Sequence, residues 1–256
     1  MLNNMNFDDV CYKRSCLSQV IIRFDFFEFI DANILFGSEV EKEILNSFPK
    51  KGMQQIMRFQ TMNVIADSKF TKSEQMTREG LQQEFANADG DKIIISNMFV
   101  IIEINNYTKF EDVLKMFVPM LNALLLKISL TSMRTGIRYI NFFSEERIKP
   151  QKKFFTPSVA SLLDVKQGGN NCIRSMAMNE YVFGDMRLNF RFGMYNPQYP
   201  HIMSKPNYVL DYDCFCDVAL AGFEEMIKHI KAGHCLIQEI FEASITDNLR
   251  KVMNNE

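Results

Sequence analysis

Apolar residues recur at steps of three and four over residues 222–247, at Phe223, Met226, Ile227, Ile230, Ile237, Phe241 and Ile245. That spacing puts them on one face of a helix, so the stretch predicts a long amphipathic helix closing on a core. His234 falls on the same face and is expected to point inward. His229 falls off it, and His201 sits in a loop holding Pro197, Pro200 and Pro206. Both are expected at the surface.

Elsewhere the period changes to two. Val20, Ile22, Phe24 and Phe26 alternate with Arg23 and Asp25, the mark of a strand with one wet face. The run Ser38-Glu39-Val40-Glu41 predicts a capped helix carrying Ile44, Leu45 and Phe48 and stopped by Pro49. Strand-like residues follow at 55–65, a polar loop or hairpin arm at 67–80, and a meander over 81–85, 92–95 and 99–104 with a turn at Asp89-Gly90-Asp91. Thr108-Lys109-Phe110-Glu111 predicts a second capped helix, with Pro119 expected to kink it near the middle. Strand pattern returns at 136–143, then a charged stretch at 144–156, a short helix opened by Thr156-Pro157, and a turn at 167–171. A hairpin follows around Phe183-Gly184-Asp185, with a last strand at 208–216.

A meander leading into a long helix thus occurs twice, at 81–127 and 172–245. The expected class is α+β: antiparallel sheets backed by helices, a duplicated strand-meander-plus-helix unit, with halves 1–150 and 151–256 packed as one body.

Composition narrows the function classes. Net charge is -2 and the pI about 6.0, so no global positive field exists to coat nucleic acid. The six cysteines form no C-x-x-C pair and match no zinc spacing. No apolar run approaches the roughly 18 residues that span a bilayer, and the polar, acidic first residues do not read as a secretory leader. A soluble, cytoplasmic, thiol-reduced chain is expected. P-loop, dinucleotide-binding, serine-hydrolase and zincin motifs are missing.

Three groups of side chains carry candidate chemistry. His234 would serve as a general base or metal ligand if exposed to a cleft, and as a tethered core histidine otherwise. Asp211 and Asp213, two apart on a strand, share a face at roughly 7 Å. With His234 on the helix that follows, they would make a metal-dependent phosphodiesterase. Arg187 and Arg191 share one strand face, and Arg134 and Arg138 another. Were those strands neighbours, four guanidinium groups would offer a phosphate or RNA platform with Tyr181 or Tyr195 to stack a base. Paired across the sheet with Asp211 and Asp213, the same arginines would be structural. Cys214 and Cys216 are expected as small buried hydrophobes.

The strands Gly136-Ile137-Arg138-Tyr139-Ile140-Asn141 and Leu210-Asp211-Tyr212-Asp213-Cys214-Phe215, followed by His234 and the run Phe241-Glu242-x-x-Ile245-Thr246-Asp247-x-Leu249-Arg250, resemble a sporadically distributed family of uncharacterised bacterial proteins of similar length. The resemblance implies no activity, catalytic residue or cofactor. Its patchy distribution points to mobile or defence-associated genes.

The reading that follows is a non-enzymatic protein-binding or accessory protein, without cofactor or resident metal, part of a bacterial defence or toxin–antitoxin-like system. Many Met and Phe residues suit adaptable contacts, so a protein partner or a homo-oligomer is expected and a membrane is not. The alternatives are a nucleotide- or RNA-binding module using Arg134, Arg138, Arg187 and Arg191, and a metal-dependent hydrolase on Asp211, Asp213 and His234.

Overall fold

Period-two segments become the strands of one antiparallel sheet, and period-3.6 segments cover one of its faces. The computed structural model describes residues 11–67, 70–125, 131–144, 151–163, 172–202 and 207–254. In chain order the elements are β1 (Leu17–Phe26), α1 (Ala32–Leu35), α2 (Ser38–Ser47), β2 (Lys50–Lys51), β3 (Gln55–Asp67), β4 (Phe70–Ala86), β5 (Lys92–Ser96), β6 (Phe99–Ile104) and α3 (Phe110–Leu125). Then come β7 (Thr131–Ser144), α4 (Gln151–Phe154), α5 (Pro157–Leu163), β8 (Ser175–Phe183), β9 (Met186–Tyr195), β10 (Asn207–Cys216), β11 (Leu220–Ala221), α6 (Phe223–Ser244) and α7 (Asp247–Asn254). The class is α+β.

Strand order is β2-β4-β5-β6-β1-β7-β10-β9-β8, with β3 added to β4 and β11 to β7. The order reads outward from the β1–β7 seam. On one side stand β6, β5 and β4; on the other, β10, β9 and β8. A three-stranded meander followed in sequence by a long helix stands on each side of that seam, β4, β5 and β6 before α3 and β8, β9 and β10 before α6, while both seam strands lie within 1–150. Antiparallel pairing of β1 with β7, Ile22 opposite Ile137 among others, makes the sheet continuous from one half to the other.

Alternation decides which side chains are buried. Val20, Ile22 and Phe24 of β1, Ile137, Tyr139 and Phe143 of β7, and Leu210, Tyr212 and Cys214 of β10 face the helices and are buried. Phe117 of α3 meets Phe24 with ring centroids 6.4 Å apart. α6 packs on β7 and β10 and touches α3. Its buried residues include Met226, Ile230 and Ile237, each contributing about 1.5–3 kcal/mol through removal from water.

Gly233 lets α6 come this close. A Cβ there would stand 2.8 Å from Ile137 Cγ2 and 3.3 Å from Met186 Cε, closer than carbon atoms pack. Glycine inside a helix costs about 1 kcal/mol relative to alanine, and here that cost permits contact between the helix backbone and the sheet.

Several local expectations change. α2 begins at Ser38 itself, with Gly37 in the cap position and no side-chain cap. α3 begins at Phe110, and Thr108 Oγ1 bonds Asp112 Oδ2 at 3.3 Å, so Glu111 does not close a box. Pro119 lies within α3 without dividing it. Of the two readings of the polar stretch at 67–80, the hairpin arm holds for its described residues, because β3 and β4 pair from Asp67↔Phe70 to Gln55↔Gln82. The closing helix expected over 222–247 is α6, ending at Ser244 with extended backbone at Ile245, and a further helix that the spacing did not predict, α7, follows it. The turn expected at 167–171 lies outside the described residues except for its neighbour Cys172.

Gly233→Leu is expected to destabilise the fold by about 3 kcal/mol through overpacking, although leucine is the better helix former. The exposed neighbour Ala232→Leu is expected to stay within about 0.5 kcal/mol of wild type. Urea unfolding midpoints check both.

Candidate functional site

The sheet face that carries no helix holds the sequence-predicted arginines. Register places the side chains in rows. One row runs Lys92, Glu103, Ile21, Arg138, Asp213, Asn189, Glu180 from β5 to β8. The next runs Ile94, Ile101, Arg23, Gly136, Phe215, Arg187, Val182. Arg134, Arg138, Arg187 and Arg191 do share this face, but β7 and β9 are not neighbours. β10 lies between them and inserts Asp211 and Asp213.

Each arginine therefore meets a carboxylate. Arg138 donates from Nε and Nη2 to the two oxygens of Asp211, both at 2.7 Å, and Arg191 Nη1 reaches the same carboxylate at 3.4 Å. The Asp211 hydrogen bond holds the Arg138 proton more firmly than usual. Arg134 pairs with Asp213 at 3.3 Å, its guanidinium 4.3 Å above the Phe215 ring. Arg187 reaches Glu180 at 3.4 Å and Asp217 at 3.9 Å. Cross-strand pairing, the structural reading of these residues, describes three of the four arginines as expected; Arg187 takes other partners. Gly136 gives Phe215 its place, since a Cβ there would stand 2.9 Å from Phe215 Cβ. Beside it a groove of about 270 Å³ is lined by Arg23, Arg134, Arg138, Glu103 and Asp213, a wall of mixed charge.

His234 lies on the other side of the sheet. It is 5% exposed, stacks on Phe110 at 4.0 Å and 16°, and shares a 2.7 Å hydrogen bond between its Nδ1 and the Tyr139 hydroxyl. Tyr139 and Arg138 are consecutive on β7, so they point to opposite faces, as do Tyr212 and Asp211 on β10. This corrects the alternative that joined His234 to Asp211 and Asp213: the sheet itself stands between them. Among the described residues no group of three or more His, Cys, Asp or Glu is arranged to hold a metal ion. His201 is exposed and His229 half-buried. Cys214 and Cys216 are buried, and burial pushes the Cys214 thiol up to about 12.

The helix side holds a polar cluster that periodicity did not single out. Glu242 is 6% exposed. Tyr12 donates its hydroxyl to Glu242 Oε1 at 2.6 Å, and Arg250 donates Nε to Oε2 at 2.7 Å. Arg250 also bonds the Glu242 carbonyl at 2.6 Å and Asp247 at 2.7 Å. Thr246 ties the turn to the chain before α5, donating its N–H to the Phe154 carbonyl at 2.9 Å and its hydroxyl to that of Lys153 at 2.7 Å. The motif residues Glu242, Thr246, Asp247 and Arg250 thus build the α6–α7 corner, with Leu249 buried beneath. Glu242 stands two turns beyond His234, and its place on the inward face was the available signal. Its partners Tyr12 and Arg250 come from distant sequence. Next to this cluster a cavity of about 270 Å³ opens between the segment before β1, β7 and α6.

The sequence matches no family model, and no curated protein matches it. Among the described residues no helix is long and apolar enough to cross a membrane.

Burial raises three tyrosines of this side: Tyr12, where the Glu242 carboxylate adds to it, Tyr139, where Tyr107 does, and Tyr212. Their ordinary value is 10.0, and that of Cys214 is 9.0. A raised acid keeps its proton in the folded state after the unfolded chain has lost it. Stability is therefore fully present below about pH 9 and falls as pH rises. The fully buried Tyr139 and Tyr212 should each contribute about 1.4 kcal/mol per pH unit above pH 10. Urea midpoints from pH 8 to 11 check this as rough bounds of the window, and Tyr212→Phe should flatten the alkaline limb by one group's share.

Proposed function

We propose that the protein is a non-enzymatic binding subunit that docks another protein on the β8 edge of its sheet. The observation that carries this is the exposure of β8. It ends the strand order, and among the described residues no strand pairs with its outer edge. Val182 is 68% exposed, Met178 61%, and Met176 and Phe183 40% each. Edges of natural sheets are usually blunted by charge, proline or a covering element. Here Glu180 is the single charged residue of the strand.

The neighbouring open face continues the apolar character. Phe142, Val209, Gly193 and Met176 stand opposite one another from β7 to β8, and Phe142 meets Tyr195 edge-on at 5.6 Å. A partner adding an extended strand would gain backbone hydrogen bonds from β8 and contacts for alternate side chains. Flexible methionines at such an edge adapt to the partner's shape. Carboxylate pairing of Arg134, Arg138, Arg187 and Arg191 speaks against phosphate as the first ligand, because each acid would have to be displaced. The resemblance to that bacterial family supports reading such a subunit as one that works with a neighbour-encoded partner, in a defence or toxin–antitoxin-like assembly.

The test is light scattering and affinity pull-down of the full chain, wild type against Met178→Lys/Val182→Lys. Wild type is expected to form a stable oligomer or to retain a partner encoded beside it. The double variant should lose either association while keeping its unfolding midpoint within about 0.5 kcal/mol. A monomer that retains nothing, or an association indifferent to both lysines, would defeat the proposal.

A further inference from the structure

The cavity beside Glu242 is a built site that the docking edge does not use. Its walls include Leu17, Tyr107, Tyr139, Asn141, Gln238 and Phe241. At about 270 Å³ it falls just below the ~300–1,000 Å³ of sites for drug-sized ligands, so its occupant is smaller. Asn141 is 5% exposed. Its Nδ2 donates to the Leu210 carbonyl at 3.3 Å. Among the described residues its Oδ1 accepts no hydrogen bond, and the Gln238 amide, half-buried on α6, makes none. An amide oxygen without a donor, on a residue of the cavity wall, leaves an acceptor for an occupant.

Charge is already settled there. Glu242 is satisfied on both oxygens by Tyr12 and Arg250, and Lys13, the other charged wall residue, is exposed. Tyr12 and Tyr139 are held neutral by burial. A cation would find the carboxylate taken, and an anion would face it. Tyr107 and Tyr139 meet at 5.7 Å and 60°, forming an aromatic corner, and Leu17 and Phe241 add apolar surface. Asn and Gln amides match ring edges that carry a donor next to an acceptor, and aromatic walls favour flat rings.

We propose that this cavity binds a small uncharged aromatic heterocycle with an amide-like edge, a free nucleobase or its nucleoside. Asn141 Oδ1 accepts from the ring edge, the Gln238 amide completes the pairing, and the tyrosine corner receives the ring.

Thermal-shift and calorimetric titration of the full chain with adenine, cytosine, uracil, hypoxanthine and the corresponding nucleosides, at millimolar concentration, tests this. At least one is expected to raise the melting temperature by mass action. Gln238→Ala, a half-exposed change that should leave folding intact, and Asn141→Ala should each weaken binding by about tenfold, the share of one buried hydrogen bond. Should Asn141→Ala not fold, Gln238→Ala decides alone. Absence of any shift overturns the proposal, and so does binding that survives Gln238→Ala but is lost in Arg134→Ala, which would place the ring on the opposite face. Met178→Lys/Val182→Lys should leave base binding unchanged, so this result stands or falls apart from the docking edge.

Discussion

Close packing of α6 on β7 and β10 at Gly233 is the constraint on which the rest depends. The helix can reach the sheet because one position on its inward face has no side chain, and Ile137 and Met186 fill the space a Cβ would take. With the helix so placed, Ile230 and Ile237 are buried on either side of the contact, and His234 is carried into the gap between Phe110 and Tyr139. The imidazole stacks on Phe110 and shares a hydrogen bond with the Tyr139 hydroxyl within the core.

Burying one face leaves the other to manage charge. Arginines and aspartates on the open face alternate across strands, and β10 supplies the carboxylates between the arginines of β7 and β9. Asp211 is nearly inaccessible and shared by two guanidinium groups. A carboxylate left there alone would be costly, so the three residues hold the register of β7, β10 and β9 as a unit. The result is a mixed-charge surface that grades into the exposed Met176, Met178 and Val182 at β8.

The helix side manages its polar groups by a different route. Glu242 sits where α6 would bury an apolar residue, and it is retained because Tyr12 from the N-terminal segment and Arg250 from α7 converge on it. That convergence closes the corner between the last two helices and fastens it to residues 153–156. A cavity survives at its edge, with Asn141 and Gln238 on its wall.

How much of this was legible depended on range. Local pattern sufficed for β6, found at 99–104 as read, for the inward turn of His234, for the buried thiols of Cys214 and Cys216, and for the repeated meander and long helix, because side-chain period and turn chemistry act over a few residues. It misplaced both capped helix starts by the width of a cap, and it carried the last helix to 245–247 without reading α7, which follows the extended backbone at Ile245. What the amino-acid order alone determined was which face of each element is greasy. Which strand lies beside which was decided only by the folded sheet: β10 between β7 and β9, His234 and the aspartates on opposite sides, Tyr12 and Arg250 on Glu242. Those meetings join residues tens to hundreds of positions apart, and the free energy that selects them comes from burying all the faces at once, a quantity no local window contains.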